Sequence, residues 1–534
     1  MLKRQGQWVF VAAICFPMAL VLSLPVFPSQ DGPMHLYWVD VLRALLSHSN
    51  QYGGYFQIRA FLTPYALHYY TMLVLETVFS AEMSEKILLC IYICLFCLAF
   101  KYLVDSVTPF GGGWSLVALP FCLNSLIYWG FYNYSFGVTF TLFLVGFWIR
   151  WHNHLDARRI GTLAVGLSVL LLTHPVPGLI LLSYIGIQVV VELWSARAFV
   201  RPWSITLRGQ ARKVLVLGGM AVVTLMWIGR FLATPRNADP DGVGRMGGDW
   251  ITTAILELKL WPVAPLTSGA YRSGLMAVLL LALVSVIAGM VLRWRHVASS
   301  GLVALCLTSL LCFLLYVFLP EWINGSGYFR ERFPIFFVLF LLAAGAASAP
   351  SSRWSYAAGG IAVLALCSTG VLQWRRATEI ATELRPLLTA EISGPLGAGV
   401  LLHERSPENP IDRDVTFDPY AWAGAHYFRR AHAVLLDTMG LDQPIHLLRP
   451  ANPGPWDYLD PLGEANYFST QEGCSTPRLD LVVRVGKEVP SGVADAVIGR
   501  YCLGLAARAG ERLTVYTRRA GMLDCCESGP KTTK

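Results

Sequence analysis

The sequence predicts a polytopic α-helical membrane protein of about 11 transmembrane helices, each of about 20 residues, followed by a small soluble α/β domain. Of the 534 residues, 55% are hydrophobic and only 14% are charged, whereas about a quarter of the residues of a soluble protein are charged. The mean hydropathy is +0.50. The apolar residues form long runs that stop near residue 374, where charged residues return. Lipid is therefore the expected solvent for most of the chain.

The apolar runs give the candidate membrane spans. They lie at 8–26, 86–105, 114–131, 134–150, 160–174, 177–195, 213–233, 273–292, 299–319, 333–349 and 354–373. The N-terminal run is predicted to be a retained span rather than a cleaved signal, because no small-x-small cleavage site precedes Asp31. Its N-terminus is then cytoplasmic.

The run 64–80 is also apolar, but the distribution of charge argues against a crossing there. If it crosses, the basic loops at 150–159 and 197–213 fall outside. If it does not cross, they fall inside with Lys3 and Arg4, as the positive-inside rule requires. We therefore predict that 64–80 is a partly embedded helix on the outer side.

The chain is predicted to have three parts. Residues 1–373 form the membrane domain, with a long outer loop at 27–85 that carries juxtamembrane helices. Residues 374–525 form an extracytoplasmic α/β domain, and residues 526–534 form a disordered tail. In the α/β domain we expect strands at 400–403, 479–485 and 513–517 and helices at 420–439 and 493–507. Cys474 and Cys502 form a candidate disulfide if this region is exported, although the sequence alone does not set their pairing.

The most informative polar residues lie just past the first span. Asp31 and His35 stand four residues apart where the chain leaves the bilayer. A carboxylate there is a candidate general base for a hydroxyl group, or a ligand of a divalent cation. The alternative is that Asp31 only stabilises the N-terminus of a helix opened by Gly32 and Pro33. His35 is a candidate for metal or phosphate binding or for orienting Asp31, and equally for an ordinary interfacial polar residue.

Polar residues from three later outer segments complete the candidate set. Asn133 can bind sugar hydroxyls or Asp31, although a tight turn also favours Asn. His174, in a Thr-His-Pro turn, is either a ligand or a structural turn residue. Arg330 and Arg332 precede a span on the face where basic residues are disfavoured. A guanidinium can donate two hydrogen bonds to phosphate oxygens, so Arg330 or Arg332 is predicted to bind a phosphate or diphosphate. The alternative is that lipid phosphates attract both arginines.

These motifs together resemble those of the GT-C glycosyltransferases. The resemblance rests on the early acid in Asp31-Gly-Pro-Met-His35-Leu-Tyr, the Pro-Tyr-x-Leu-x-Tyr-Tyr segment, the Gly-Phe-Tyr-Asn-Tyr-Ser-Phe-Gly and Thr-His-Pro turns, and a late Arg-x-Arg-Phe. The chain is similar to the bacterial aminoarabinose lipid A transferase and to the protein mannosyltransferases. The first-loop acid of the family maps onto Asp31. Many members have a second acid beside it, where this chain has Gly32, so the need for a divalent cation such as Mg²⁺ or Mn²⁺ stays open.

The resemblance implies an inverting hexosyl- or pentosyltransferase of a bacterial inner membrane, with its C-terminal domain periplasmic or extracellular. Its donor would be a polyprenyl-phosphate sugar, because nucleotide sugars stay in the cytoplasm. Its acceptor would be a hydroxyl group of a cell-surface glycan, lipid or protein. Asp31 would act as the general base, and Arg330 or Arg332 would stabilise the leaving phosphate. Membrane lipid is an implied partner and nucleic acid is not, because the net charge of +8 fits basic cytoplasmic loops.

Two other classes of protein share part of this pattern. A flippase or transporter of lipid-linked glycans typically has intramembrane charges and paired halves with broken helices. Here the charges lie near the ends of spans, and no internal symmetry is visible. A polymerase or ligase of surface glycans uses the same kind of donor. The early acid and the terminal soluble domain favour the GT-C interpretation.

Overall fold

The computed structural model describes most of the membrane region and part of the C-terminal region. The described residues are 2–61, 63–109, 111–198, 203–233, 280, 282–287, 300–319, 329–349, 351–389, 397–403, 420, 422–436, 448–450, 479–485, 497–499, 501, 503–509 and 513–518. The loop 234–272, most of the candidate span 273–292, the Cys474–Cys502 pair and the tail 526–534 lie outside them.

Long helices make up the described chain as far as residue 389. They are α1 (Leu2–Ser23), α5 (Ala81–Val107), α8 (Tyr132–Trp151), α9 (Ala157–Thr173), α10 (Pro175–Ala198), α11 (Trp203–Ala233), α12 (Ser300–Phe318), α13 (Pro334–Ser348) and α14 (Ser352–Thr389). Within the described residues, six segments are long and apolar enough to cross a membrane. The chain is a multi-pass membrane protein.

Contacts between α5 and α8 define two opposite ends of the helix bundle. Near their starts, α5 and α8 are joined by a hydrogen bond from the Tyr132 hydroxyl to Glu85 Oε1 (2.6 Å). Near their other ends, the Arg150 guanidinium lies 4.8 Å from the centre of the Tyr102 ring. The two helices therefore run in the same direction. We call the end that holds Tyr132 the site end and the end that holds Arg150 the basic end.

The predicted span at 114–131 is wrong as a continuous helix. It consists of α6 (Gly111–Trp114), a 3₁₀ turn (Leu119–Phe121) and α7 (Ser125–Tyr128). Pro120 cannot donate a helical hydrogen bond, and the Asn124 side chain caps α7 by accepting from the Leu126 N–H (3.0 Å). Residues 113–130 are all buried. Irregular backbone is tolerated at membrane depth when protein surrounds it in this way.

The short helix α4 (Ala66–Leu75) agrees with the prediction that 64–80 does not cross. It has 10 residues, which span about 15 Å, or half of a hydrocarbon core of about 30 Å. It packs against α5 and against α2 (Gly32–Leu46), the helix that follows the first span. A one-turn helix, α3 (Asn50–Gly53), and a short strand, β1 (Phe56–Ile58), connect α2 to α4.

The described C-terminal residues include a five-stranded mixed sheet. Its strands are β2 (Ala398–His403), β3 (Val434–Leu435), β5 (Leu479–Val485), β6 (Leu503–Ala509) and β7 (Leu513–Arg518), in the order β3-β2-β5-β7-β6. The parallel pairs are β2–β3 and β2–β5, and the antiparallel pairs are β5–β7 and β6–β7. A further strand, β4 (Leu448–Pro450), pairs with β1 of the first loop.

The three predicted strands match β2, β5 and β7, but both predicted helices need correction. Among the described residues of the predicted helix 420–439, only α15 (Ala425–Arg430) is helical, and β3 follows it. The predicted helix 493–507 runs into β6. The Leu-Gly-Leu-Ala-Ala-Arg-Ala sequence of β6 favours a helix by propensity, but pairing with β7 makes it a strand.

Candidate functional site

Asp31 occupies the N-cap position of α2, at the site end, and its side chain makes no capping hydrogen bond. Its backbone N–H donates to the Trp129 carbonyl (3.2 Å). Among the described residues, its carboxylate accepts one long hydrogen bond, from Gln30 Nε2 (3.4 Å). The residue is only 7% exposed. The carboxylate is therefore held in place by the backbone around it rather than used to complete the helix.

The burial of Asp31 changes its acidity. Loss of hydration raises the pKa of Asp31 from 3.8 to about 7, against a smaller lowering by the Gln30 hydrogen bond. Desolvation disfavours the charged form of a carboxyl group. A base with a pKa near the working pH exists in its reactive form and still gains free energy on accepting a proton.

The turn that follows α7 closes over Asp31. Gly130 has φ +87°, and a Cβ on it would lie 2.8 Å from Asp31 Cβ. Both the backbone conformation and the close approach require glycine here. This turn therefore sets the depth at which Asp31 sits.

Gly32 stands where many GT-C members have a second acid, and the structure leaves no room for one. A Cβ at Gly32 would lie 2.0 Å from Ser29 Oγ and 2.2 Å from Glu85 Oε1. Glu85 is fully buried and accepts from the Tyr132 hydroxyl (2.6 Å) and Ser29 Oγ (3.4 Å). The sequence analysis missed Glu85, although a carboxylate at the start of a span is a recognised signal of function.

His35 connects the first loop to two other segments. Its Nε2 lies 2.9 Å from the Gly130 carbonyl oxygen, and its Nδ1 lies 3.0 Å from the Tyr69 hydroxyl of α4. A carbonyl only accepts, so Nε2 carries the proton and Nδ1 accepts from Tyr69. Burial lowers the pKa of His35 to about 4, so the ring is neutral. Both ring nitrogens are engaged by protein, which favours an orienting role over ligand binding.

The residues around Asp31 do not fit a divalent cation. In the part of the chain that the structure describes, no group of three or more His, Cys, Asp or Glu residues is arranged to hold a metal ion. Both nitrogens of His35 are already hydrogen-bonded. Gly32 offers no ligand either.

His174 contacts two segments that are distant in sequence. Its Nε2 lies 2.8 Å from the Tyr65 hydroxyl and 2.9 Å from Arg332 Nη1, and its Nδ1 accepts from the Val176 N–H (3.1 Å). Burial, together with the charge of Arg332, lowers the pKa of His174 well below its usual range. A neutral imidazole has only one acceptor nitrogen, so Val176 and Arg332 cannot both donate fully to it.

Arg332 differs from Arg330 in its partners. Arg330 Nε donates to Glu331 Oε1 (2.8 Å), and both of these side chains are largely buried. Arg332 is 7% exposed, and within the described residues it has no carboxylate partner and its Nε has no acceptor. Its guanidinium lies 5.3 Å from the centre of the Phe131 ring and 5.8 Å from that of Phe329, within cation–π range. Arg332 is thus a buried cation without an anion partner among the described residues.

Asn133 lies in the 129–134 turn, at the start of α8. It is buried, and its Oδ1 accepts from the backbone N–H of Tyr134 (2.9 Å). The Tyr134 hydroxyl in turn donates to the Arg332 carbonyl (2.5 Å). Asn133 therefore shapes the turn next to Arg332, and a contact to sugar stays a prediction.

Contacts between distant segments close into a ring at the site end. The first loop touches the 129–134 turn through His35, and that turn touches Arg332 through Phe131 and Tyr134. Arg332 touches His174, and His174 touches Tyr65 just before α4. Tyr69 of α4 then returns to His35. The six predicted site residues lie on this ring or beside it. Tyr65 and Tyr69 also lie on it; they belong to the Pro-Tyr-x-Leu-x-Tyr-Tyr segment of the sequence but were not predicted individually as site residues.

Comparison with solved structures identifies the fold. The chain aligns with the crystal structure of ArnT from Cupriavidus metallidurans in the apo state with a TM-score of 0.53 and 12% identity, over 97% of this chain and 99% of that one. The cryo-EM structure of the arabinofuranosyltransferase AftD from Mycobacteria aligns with a TM-score of 0.49 and 12% identity, over 97% of this chain and 40% of that one. No protein-family model and no curated protein matches the sequence.

The first of these alignments spans nearly the whole of both chains, so it covers the C-terminal region as well as the membrane helices. At 12% identity, such a likeness reports the fold. The GT-C resemblance read from the sequence motifs is therefore confirmed in architecture: the chain has the polytopic helical fold of ArnT.

Proposed function

We propose that the protein is a membrane glycosyltransferase that moves a sugar from a polyprenyl-phosphate donor to a hydroxyl group of a glycan, lipid or protein. One observation carries the proposal: Asp31, a buried carboxylate with a pKa of about 7, adjoins the ring of contacts on which Arg332 lies, a buried guanidinium without a described counter-ion. The first suits a general base, and the second suits a phosphate. The ArnT-like fold supports the same class of reaction.

Arg332 is the group proposed to bind the donor phosphate. An unpaired buried cation is costly, so an anion that reaches it gains a strong interaction. His174 is neutral and cannot satisfy Arg332 fully, which leaves the guanidinium available for a phosphate oxygen. Arg330 already has an internal carboxylate partner in Glu331. The proposal therefore assigns the phosphate to Arg332 and a supporting role to Arg330.

Asp31 is the proposed base. Its carboxylate takes the proton of the acceptor hydroxyl while the hydroxyl oxygen forms a bond to the anomeric carbon. The bond from that carbon to the phosphate oxygen breaks on the opposite side, and its electron pair leaves with the phosphate. Arg332 stabilises the charge that develops there. This displacement inverts the anomeric configuration.

The site is proposed to face the extracytoplasmic side of a bacterial inner membrane. The support is the charge distribution: Arg150, Arg158, Arg159 and Lys213 lie at or near the basic end, opposite Asp31 and Arg332. Positive residues favour the cytoplasmic side of a membrane. A donor anchored by its polyprenyl chain would reach the site end from within the outer leaflet.

The experiment that tests the proposal is a reconstitution. Purified protein in proteoliposomes receives a polyprenyl-phosphate sugar labelled in the sugar, with a panel of membrane glycans as acceptors and a nucleotide sugar as the control donor. We expect labelled acceptor and free polyprenyl phosphate in equal amounts, and no transfer from the nucleotide sugar. Movement of intact donor across the bilayer without bond cleavage would instead indicate a flippase, and repeated extension of one glycan would indicate a polymerase.

A further inference from the structure

The C-terminal region contacts α2, the helix that begins directly after Asp31. Tyr37 of α2 is fully buried, and its hydroxyl accepts from the Leu435 N–H (2.7 Å) and donates to the Ala433 carbonyl (3.3 Å). Both partners lie at β3, about 400 residues further along the chain. A tyrosine that both donates to and accepts from one strand fixes the position of its own helix against that strand.

A charged contact lies one turn further along α2. Arg429 of α15 pairs with Glu82 at the start of α5, and its Nη1 lies 3.7 Å from Asp40 Oδ2 on α2. The Arg429 side chain is 12% exposed, so these interactions are partly shielded from water. One arginine therefore joins α2, α5 and the C-terminal region.

A third contact is made by backbone. β1 of the first loop pairs antiparallel with β4, with Phe56 opposite Pro450 and Ile58 opposite Leu448. Next to it, Gln51 donates to the backbone carbonyl of His432. Hydroxyl, charge and strand contacts thus all join the first loop to residues 429–435 and 448–450. The contacts of α15 and β3 form one interface, because α15 leads directly into β3.

This interface reaches Asp31 through α2. Asp31 precedes the first residue of that helix, and Tyr37 lies six residues on, which is about 9 Å along a helix axis. The carboxylate of Asp31 accepts only the long Gln30 hydrogen bond among the described residues. The depth of Asp31 therefore depends on how α2 is seated against the 129–130 turn, and little on bonds of the carboxylate.

We propose that residues 425–435 act as a positioning clamp, which holds α2 through Tyr37 and Arg429 so that the Asp31 carboxylate is kept at its working depth. The inference rests on the proposed function and adds a role for the C-terminal region to it. Tyr37 and Arg429 are positioning residues, since they act through α2 and touch no reacting atom. Loosening the clamp lets α2 shift and lets water reach Asp31.

The test compares Tyr37→Phe with Tyr52→Phe as a matched control. Tyr52 is a buried neighbour whose ring centre is 6.2 Å from that of Tyr37 and whose hydroxyl makes no hydrogen bond to the described residues. Tyr37→Phe keeps the ring and removes only the contacts to β3. A displacement of about 1 Å at a reacting group can cost about 100-fold in rate, so we expect kcat to fall at least about 10-fold. The KM for the donor should stay within about twofold.

A pH profile separates positioning from a mere loss of folded protein. If water reaches Asp31, the pKa of its carboxyl group falls. The acid limb of the plot of kcat against pH then moves to lower pH. Partial unfolding lowers kcat without moving the limb. Among the described residues, the other titratable groups near Asp31 are His35 on its own helix, Tyr69 of α4, and Tyr132 and Glu85 at the starts of α8 and α5. A parallel set of variants carries Glu85→Gln, so that titration of this second carboxylate is not mistaken for that of Asp31.

Hydrogen exchange gives a readout that needs no activity. We expect Tyr37→Phe to speed exchange of the amides at 31–40 by at least about 10-fold, with no change in α8, while Tyr52→Phe exchanges like wild type. If wild type transfers sugar and Tyr37→Phe keeps the wild-type kcat and acid limb, the clamp is disproved. A lower kcat with an unmoved limb also disproves it. If wild type transfers no sugar, the proposed function fails. The hydrogen-exchange rates at 31–40 then test the clamp without reference to activity.

Discussion

At the scale of single residues, the main feature is an acid kept out of water. The pKa of Asp31 is about 7 in the folded protein and 3.8 in the unfolded chain, because burial disfavours the charged form. The folded state therefore binds more protons than the unfolded state between these two values. Its free energy of unfolding falls as the pH rises through this window and stays low above pH 7.

Asp31→Asn removes this dependence, because an amide does not ionise. We expect the variant to become more stable than wild type as the pH rises from 4 to 7, while the two proteins differ least at or below pH 4. Thermal unfolding in detergent, measured at one-unit intervals of pH, checks this. Parallel curves for the two proteins at every pH would show that Asp31 is hydrated in the folded state.

The two arginines should respond differently to the same change. Arg332→Gln removes a buried cation without a described ion partner, so we expect unchanged or higher thermal stability and a loss of transfer activity of about 100-fold or more. Arg330→Gln breaks the ion pair with the buried Glu331 carboxylate and should destabilise the protein by about 3–5 kcal/mol. Unfolding curves and transfer rates on the same samples separate the effects. Equal losses of stability in both variants would contradict the assignment.

Gly32 should tolerate no side chain. The Cβ of Gly32→Ala would lie within 2.2 Å of Ser29 Oγ and Glu85 Oε1, in a buried hydrogen-bonded group that cannot easily move. We expect a loss of about 1–3 kcal/mol, as is typical of overpacking. Gly161→Ala is the matched control, because its Cβ would meet nothing within 4 Å. Equal thermal stability of Gly32→Ala and wild type would mean that the first loop is more open than described.

At the scale of elements, apolar run length predicted α5, α8, α10, α12 and α13 well, since each run is long and has proline, if at all, only in its first turn. It failed at 114–131, where the run is just as apolar. Pro120 and the cap at Asn124 break the helix there, and burial in protein makes the broken form tolerable. Hydropathy reports that a segment avoids water, but it does not distinguish lipid from protein as the surroundings.

The helix α4 carries a prediction about topology. Because it spans only about 15 Å, the chain enters α5 from the same side on which α1 ends. A reporter fused at residue 155 should therefore be cytoplasmic, and a reporter fused after residue 374 should be extracytoplasmic. The natural control is a reporter fused after Ser47, which should also be extracytoplasmic. An extracytoplasmic location of the reporter at residue 155 would mean that 64–80 crosses the membrane.

At the scale of the whole molecule, the sequence could predict which face carries polar residues, but not how these residues pair. Asp31, His35, Asn133, His174, Arg330 and Arg332 were all found as polar groups at span ends. The contacts that join them link positions about 100 residues apart or more, such as His35 with Gly130 and His174 with Arg332. Such pairs depend on how the helices pack, and no local pattern encodes them. For the same reason the difference between Arg330 and Arg332 needed the structure.

The central claim is that Asp31 removes the acceptor proton at this site. The most direct test is the rate of sugar transfer by Asp31→Asn at saturating donor, at pH 8, beside wild type and Asp105→Asn. Asp105 pairs with Lys101 near the basic end, so its variant controls for loss of a carboxylate elsewhere. We expect the rate to fall about 100-fold or more in Asp31→Asn, a loss typical of a missing general base, and to be unchanged in Asp105→Asn. Wild-type transfer by a stable Asp31→Asn protein would contradict it.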